Sequence, residues 1–344
     1  MPITTLDQLL AGQLPGQEWT KIGAGTQVVG RPYSLAYAVG QPGAMAAAAG
    51  GLQGLGLLTK VGQLVYTNPV SPALAYLSQL SAECINAGSL WLCDRLWENS
   101  GNSATLTTTQ THTVAISGNT VANPTVVTTA AHGQAAGTFV VHITGSNSTP
   151  SINGTWTATW ISGTTFSIPV NVTGAGSAGA CHIAIPPRDR NMTAVGTTGA
   201  PARYGEGVEL AYEVSTVMGA GTPTLSVAYI DSDGVARTAP TITLAATMIV
   251  GAFILIPLDV GNVGVRAVTS HIKNATQTSG VYHLVMFRRL ARIGLPLPAV
   301  NVSQDAVQLG FPRLPDNCVP FLVWVPNSTA APTILSGNLT VAQG

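Results

Sequence analysis

Residues 99–187 contain no Asp, Glu, Lys or Arg and consist largely of Thr, Ser, Gly, Asn, Ala and Val, with a few His and aromatic side chains. Soluble domains ordinarily scatter both signs of charge over their exterior, because a neutral surface favours association and precipitation. A stretch that forgoes this protection suits a subunit locked into a large assembly. Within it, Thr155, Thr157 and Thr159 alternate with Trp156, Ala158 and Trp160, the period of two that gives a strand one buried and one wet face. Strands are also predicted over 112–117, 124–129, 138–144, 165–170 and 181–185, with Asn153-Gly154 and Ser162-Gly163 as tight turns between them. Short strands so spaced predict a small Ig-like β-sandwich or barrel.

The ends of the tract, LTTTQTHTVAI and CHIAIPPRDRN, read as segments that can meet edge to edge. The tract is therefore expected to be an inserted domain, 112–185, within a discontinuous host body formed by 1–111 plus 186–344. Insertions are tolerated where the chain leaves and returns at neighbouring points of an exposed loop.

The host body carries charge. From Arg203 onward strands are predicted over 208–216, 225–230, 235–239, 253–258, 265–272, 281–288, 321–325 and 333–341, the spacing of an antiparallel β-sandwich or jelly-roll-like fold. Asp231-Ser232-Asp233-Gly234 reads as a hairpin turn; a calcium loop is the alternative, but its twelve-residue ligand spacing is absent. Helix signals are confined to the first hundred residues. Thr5 and Gln8 form a capping-box pattern before Leu9 and Leu10, with Gly12 as the stop. Ser71-Pro72 suits an N-cap and first turn, and Leu74, Leu77, Leu80, Cys84 and Ala87 recur at helical spacing, which predicts the longest helix over 72–87. The following run SLWLCDRLWENSG reads as a strand or turn anchored by Trp91 and Trp97, with Asp94 and Arg95 as a local ion pair. The chain as a whole is expected to be mainly β, with a short N-terminal helical part.

Hydrophobic residues make up 46% of the 344 and charged residues 8%, with 14 basic against 14 acidic side chains. That is far below the usual quarter of charged residues. The balance leaves no electrostatic footprint for nucleic acid, because the one basic cluster, Arg288, Arg289 and Arg292, suits a solvated or ion-paired strand end. The N-terminal MPITTLDQLLAGQ lacks a basic region followed by an apolar run, so assembly in a cytoplasm is expected. Residues 32–59 are uncharged but broken by Gly, Pro and Gln, as in QPGAMAAAAGGLQGLG, so close packing of small residues is predicted there, not a membrane span. Gly54, Gly56 and Leu57 of this segment are the candidate assembly interface.

Catalytic signatures are poor. There is no G-x-S-x-G, H-E-x-x-H or G-x-x-x-x-G-K-[ST], and GLQGLG at 51–56 has the wrong order for a dinucleotide fingerprint. No enzyme activity and no cofactor are expected. Cys84, Cys93, Cys181 and Cys318 form no C-x-x-C pair, so buried thiols are expected and no metal site. His112, His132, His142, His182, His271 and His283 are scattered singly; His132-Gly133 suits a turn, and His142 and His283 fall in predicted strands as hydrogen-bonded structural residues. Glu206, Glu209 and Glu213 suit a strand edge or loop more than a two-carboxylate site. The N-x-S/T sequences at Asn147 and Asn338 read as Asn- and Thr-rich turns.

The run TVANPTVVTTAAHGQAAGTFVVHITGSNSTPSINGTWTATWISGTTFSIPVNVTGAGSAG resembles a small β module that recurs, spliced into otherwise different proteins, in the virions of tailed bacteriophages. The flanking LWLCDRLWENSG, PPRDRN, GEGVELAYEVST and FPRLPDNCVPFLVWVP are similar to a phage structural-protein family that often lacks the insert. The resemblance implies a virion component. Together with the composition, it leads us to expect a capsid decoration or cement protein, a homotrimer bound to the major capsid protein lattice. The alternatives are a tail, baseplate or fibre component, or a glycan-binding adhesin with Trp156 and Trp160 as a stacking platform; as core residues these two would instead anchor the insert.

Overall fold

A computed structural model describes residues 5–45, 51–54, 62–70, 73–132, 134, 136–184, 205–315, 318–329 and 333–344. One short helix, Leu6–Ala11, opens the described chain. Its Thr5 hydroxyl accepts from the Gln8 N–H at 3.2 Å, the Gln8 side chain accepts from the Thr5 N–H at 3.2 Å, and Gly12 caps the end, as the sequence predicts. The remaining regular structure is antiparallel β, in three sheets and one barrel.

The first sheet orders Val302–Asp305, Ala75–Cys84, Ile334–Gln343, Gln17–Ile22 and Val39–Gln41, and Arg313–Leu314 also pairs with Ala75–Cys84. Gly337 is required here. A Cβ at that position would lie 2.0 Å from the Ser81 carbonyl oxygen and 2.5 Å from the ring of Trp19, which is 1% exposed. The central sheet orders Phe253–Ile256, Glu209–Thr216, Val281–Leu295, Gly88–Ser100, Pro320–Pro326 and Tyr33–Ser34. It curls until its edges meet: Tyr33 bridges to Ala252, Ser34 N donates to Gly251 O at 2.7 Å, and Phe253 N donates to Pro32 O at 3.0 Å. The outer sheet orders Ala236–Thr238, Thr224–Asp231, Val265–Lys273 and Gln110–Thr111.

Three cores follow from this layering. Leu77, Leu80, Leu90, Leu92, Ile293, Leu322 and Trp324 fill the space between the first and central sheets. Leu210, Tyr212, Tyr282 and Met286 of the central sheet meet Leu225, Val227, Tyr229 and Val268 of the outer one. Inside the curl lie Trp91, Cys93, Ala211, Phe253, Val285, Phe287, Phe321 and Val323.

Six strands, Thr113–Asn119, Thr125–Thr129, Thr138–Thr144, Gly154–Ser162, Thr165–Ile168 and Ala180–Ala184, form a closed barrel. Its first and last strands pair directly, Cys181 opposite Val114 and His182 opposite Thr113, so the chain enters and leaves the barrel side by side. Val114, Val127, Val141, Ile143, Phe166 and Cys181 fill the interior.

Two expectations change. The helix predicted over 72–87 is the strand Ala75–Cys84; Ser71 and Pro72 lie outside the described residues. The register slips where Thr340 faces Gln79 but Val341 faces Leu77, a β-bulge at Ser78 that puts Leu77 and Leu80 in one core three residues apart. That spacing imitates a helix. Asn338 lies in mid-strand opposite Ser81 and Glu18, not in a turn, whereas Asn147 does organise one, its side-chain oxygen accepting from Ser177 N and Ala178 N.

Candidate functional site

Gly54 ends the strand Gly51–Gly54 and pairs with Asn99, so its backbone is committed to the edge of Gly88–Ser100. The sequence places no strand at GLQG. Gly56 and Leu57 lie outside the described residues. In the barrel, Trp156 packs against the core, and its ring N–H donates to Ile152 O at 2.7 Å. Trp160 is half-buried beside Phe166 on the neighbouring strand. Both tryptophans are thus half-buried on the barrel.

A fully buried charge cluster was not legible in the sequence. Arg95 is wholly buried in the curl of the central sheet and grips Glu213 with two hydrogen bonds, of 2.8 and 2.6 Å, and Glu98 with one of 2.6 Å. Its guanidinium lies 4.7 Å from the centre of the Phe321 ring. Adjacent strand residues point to opposite faces, so Arg95 serves this interior cluster, while Asp94 accepts from Val319 N at 2.8 Å. The expected Asp94–Arg95 pair is replaced by Arg95–Glu98 and Arg95–Glu213. A bulge at Leu96, between the Arg95–Phe287 and Trp97–Met286 pairings, turns Arg95 and Glu98 to the same side.

Glu213 sits in the middle of a strand, not on an edge or loop as expected. Burial by itself pushes its carboxyl up; the Arg95 guanidinium, with smaller help from His283 and Ser34, more than offsets this and holds it below the ordinary carboxylate range. A carboxylate so held is an ion-pair partner, whereas a general acid or base needs an affinity for protons near neutrality. His283 completes the cluster. It lies 2.9 Å from Asn99 O and 2.8 Å from the Ser215 hydroxyl, with Tyr37 stacked on its ring at 5.7 Å.

The arginine cluster of the Val281–Leu295 strand lines a cleft of about 740 Å³ together with Glu206, Glu209 and Asn262. Arg289 makes a two-pronged pair with Glu209 at 2.7 and 2.6 Å and lies 4.7 Å above the Trp91 ring, and Arg288 donates to Glu206 O at 2.9 Å. Arg289 is ion-paired as expected, but Arg288 and Arg289 lie in the middle of a fifteen-residue strand and not at its end. The Asp231 carboxylate closes the 231–235 hairpin by accepting from Asp233 N and Val235 N and pairs with Arg237 at 3.0 Å, so it acts as a turn lock. All four cysteines are free and buried. His142 is hydrogen-bonded to Thr155 at 2.8 Å, and His132 is fully buried, 2.8 Å from Ser162 O.

No family model and no curated protein matches the chain. Among solved structures, the VP2 subviral particle of infectious bursal disease virus aligns at 10% identity over 81% of this chain and 83% of that one, with a TM-score of 0.14. The D431N mutant VP2 of T=1 particles from the same virus aligns at 12% identity over 96% of this chain and 78% of that one, with a TM-score of 0.13. Superpositions at this level do not define a common fold. No helix among the described residues is long and apolar enough to cross a membrane.

Proposed function

We propose that the chain is a structural, non-catalytic component of a tailed-phage virion: a capsid decoration or cement protein that binds the major capsid protein lattice as a homotrimer. The supporting observation is the charge-free closed barrel whose two ends pair side by side, mounted on a mainly β body. In that body the buried Arg95, Glu98 and Glu213 are spent on one another. The resemblance of the barrel sequence to a recurring phage module points the same way. A body held rigid by sheets has little ordering left to lose on docking, so weak contacts repeated over a lattice add effectively. Threefold positions of an icosahedral shell suit a closed trimer.

The experiment is the copy number in purified particles, measured by quantitative mass spectrometry against the major capsid protein. Copies on the order of hundreds per particle are expected of a protein repeated over a symmetric shell. A few to a few tens would overturn the cement assignment and place the chain in the neck, tail, baseplate or fibres.

A further inference from the structure

Among the described residues, the barrel strand Ala180–Ala184 runs beside the body strand Val265–Lys273, and two barrel–body contacts are built around a histidine. At the first, where the chain enters the barrel, Gln110–Thr111 pairs with the Val265–Lys273 strand, and His112 N donates to Thr269 O at 2.8 Å. The His112 ring then meets His271 edge to edge, with Nε2 2.9 Å from Nδ1 and the rings within 8° of parallel. The far nitrogen of His271 lies 2.9 Å from the Tyr282 hydroxyl, and Trp97 stands edge-on to His112. Both histidines are buried. Lys273, two residues along the strand, lies 4.9 Å over the Tyr282 ring and donates to Ala104 O. At the second place, Arg266 of the body donates to the Thr155 hydroxyl of the barrel at 2.8 Å, and the same hydroxyl is 2.8 Å from His142 Nδ1. His182 occupies the register position opposite His142.

We propose that these contacts form an acid-released latch: protonation of His142 and His271 undocks the barrel from the body while both remain folded. The charged groups around the two rings are cations. Arg266 lies one hydroxyl away from His142, and Lys273 and His112 flank His271; the remaining titratable neighbours are Tyr282 and His182, and Val227 and Gln110 face His271 from the adjoining strands. The one proton between the His112 and His271 nitrogens satisfies both when the rings are neutral, with the Tyr282 hydroxyl facing the far nitrogen of His271; a second proton on His271 obliges that hydroxyl to turn from donor to acceptor and puts a charge in a buried site. A proton on His142 places an imidazolium beside a guanidinium in a site that excludes water.

The sign follows from burial. Desolvation, helped by Arg266, holds His142 down at about 4; desolvation, helped by His112 and Lys273, holds His271 down at about 3. Peeling Gln110–His112 from the body and lifting Thr155 from Arg266 returns both rings to water, where they titrate near 6.5. Docking is therefore undisturbed above pH 6.5 and weakens as pH falls below it, by about 30-fold per ring at pH 5, or about a thousandfold for the two together.

The test is small-angle X-ray scattering of the full chain from pH 7.5 to 5.0, with near-ultraviolet circular dichroism following the buried tryptophans. The radius of gyration should rise reversibly below pH 6 with the aromatic signal retained, and His142→Gln with His271→Gln should lower the release pH by at least one unit. A chain that stays compact to pH 5.0, or a double variant that opens at the wild-type pH, overturns the latch. Should the variant fold poorly, histidine ring NMR of the wild type decides. Both rings should stay neutral in the compact form, and ordinary midpoints near 6.5 without any change in size would overturn it.

Discussion

At the residue scale the molecule rests on ions placed where water cannot reach them. Removing one partner of a buried pair leaves the other uncompensated, a loss of about 3–5 kcal/mol. Glu213→Ala should therefore destabilise the body by about that amount, read as a lower urea midpoint with an unchanged slope, because Arg95 keeps only Glu98. The same residue sets an acid limit. Its carboxyl lies below its ordinary 4.5 in the folded chain, so its stabilisation is complete above that value and is lost as pH falls further. Undocking of the barrel, governed by histidines, should thus precede unfolding of the body on the way down. Neither arrangement was legible as a set: Arg95 and Glu213 are far apart in sequence, as are His112 and His271, and only the strand pairing of the fold brings them together.

At the element scale, alternation made most of the strands readable. The six barrel strands and most of those predicted from Arg203 onward fall within a few residues of their expected positions, although the strand expected over 281–288 runs on to Leu295 and the short strands Ile242–Thr243, Val302–Asp305 and Arg313–Leu314 were not foreseen; the capping box gives the helix its start. In two places a bulge misled the reading. Ser78 and Leu96 each add a residue to one strand, so side chains three apart share a face: Leu77 with Leu80, and Arg95 with Glu98. Periodicity alone takes the first for a helix and has no means of seeing the second. The pairing of the barrel's first and last strands carries its own prediction. Deleting 116–182 and joining the flanks by a short turn should leave a soluble host body with its thermal transition intact and still incorporated into particles. An insoluble product absent from particles would make the barrel integral to the body.

At the scale of the whole molecule, a cement protein binds the assembled shell and stabilises it by mass action. Particles made without this protein should form heads and package DNA but release it at a lower temperature or under osmotic shock, while adsorption to cells stays near normal. Normal heads with lost adsorption would instead indicate a fibre. Such a protein accumulates to high concentration before it finds its shell, and this one has few charges to keep its copies apart. The curl of the central sheet supplies another protection. Where Tyr33 reaches Ala252 the two longest-sheet margins satisfy each other, the barrel has no margin at all, and the outermost strands of the other two sheets are two to four residues long. An exposed strand margin is a template on which a second chain can extend the sheet. Among the described residues the fold leaves few such margins, a protection by geometry where most proteins rely on repulsion.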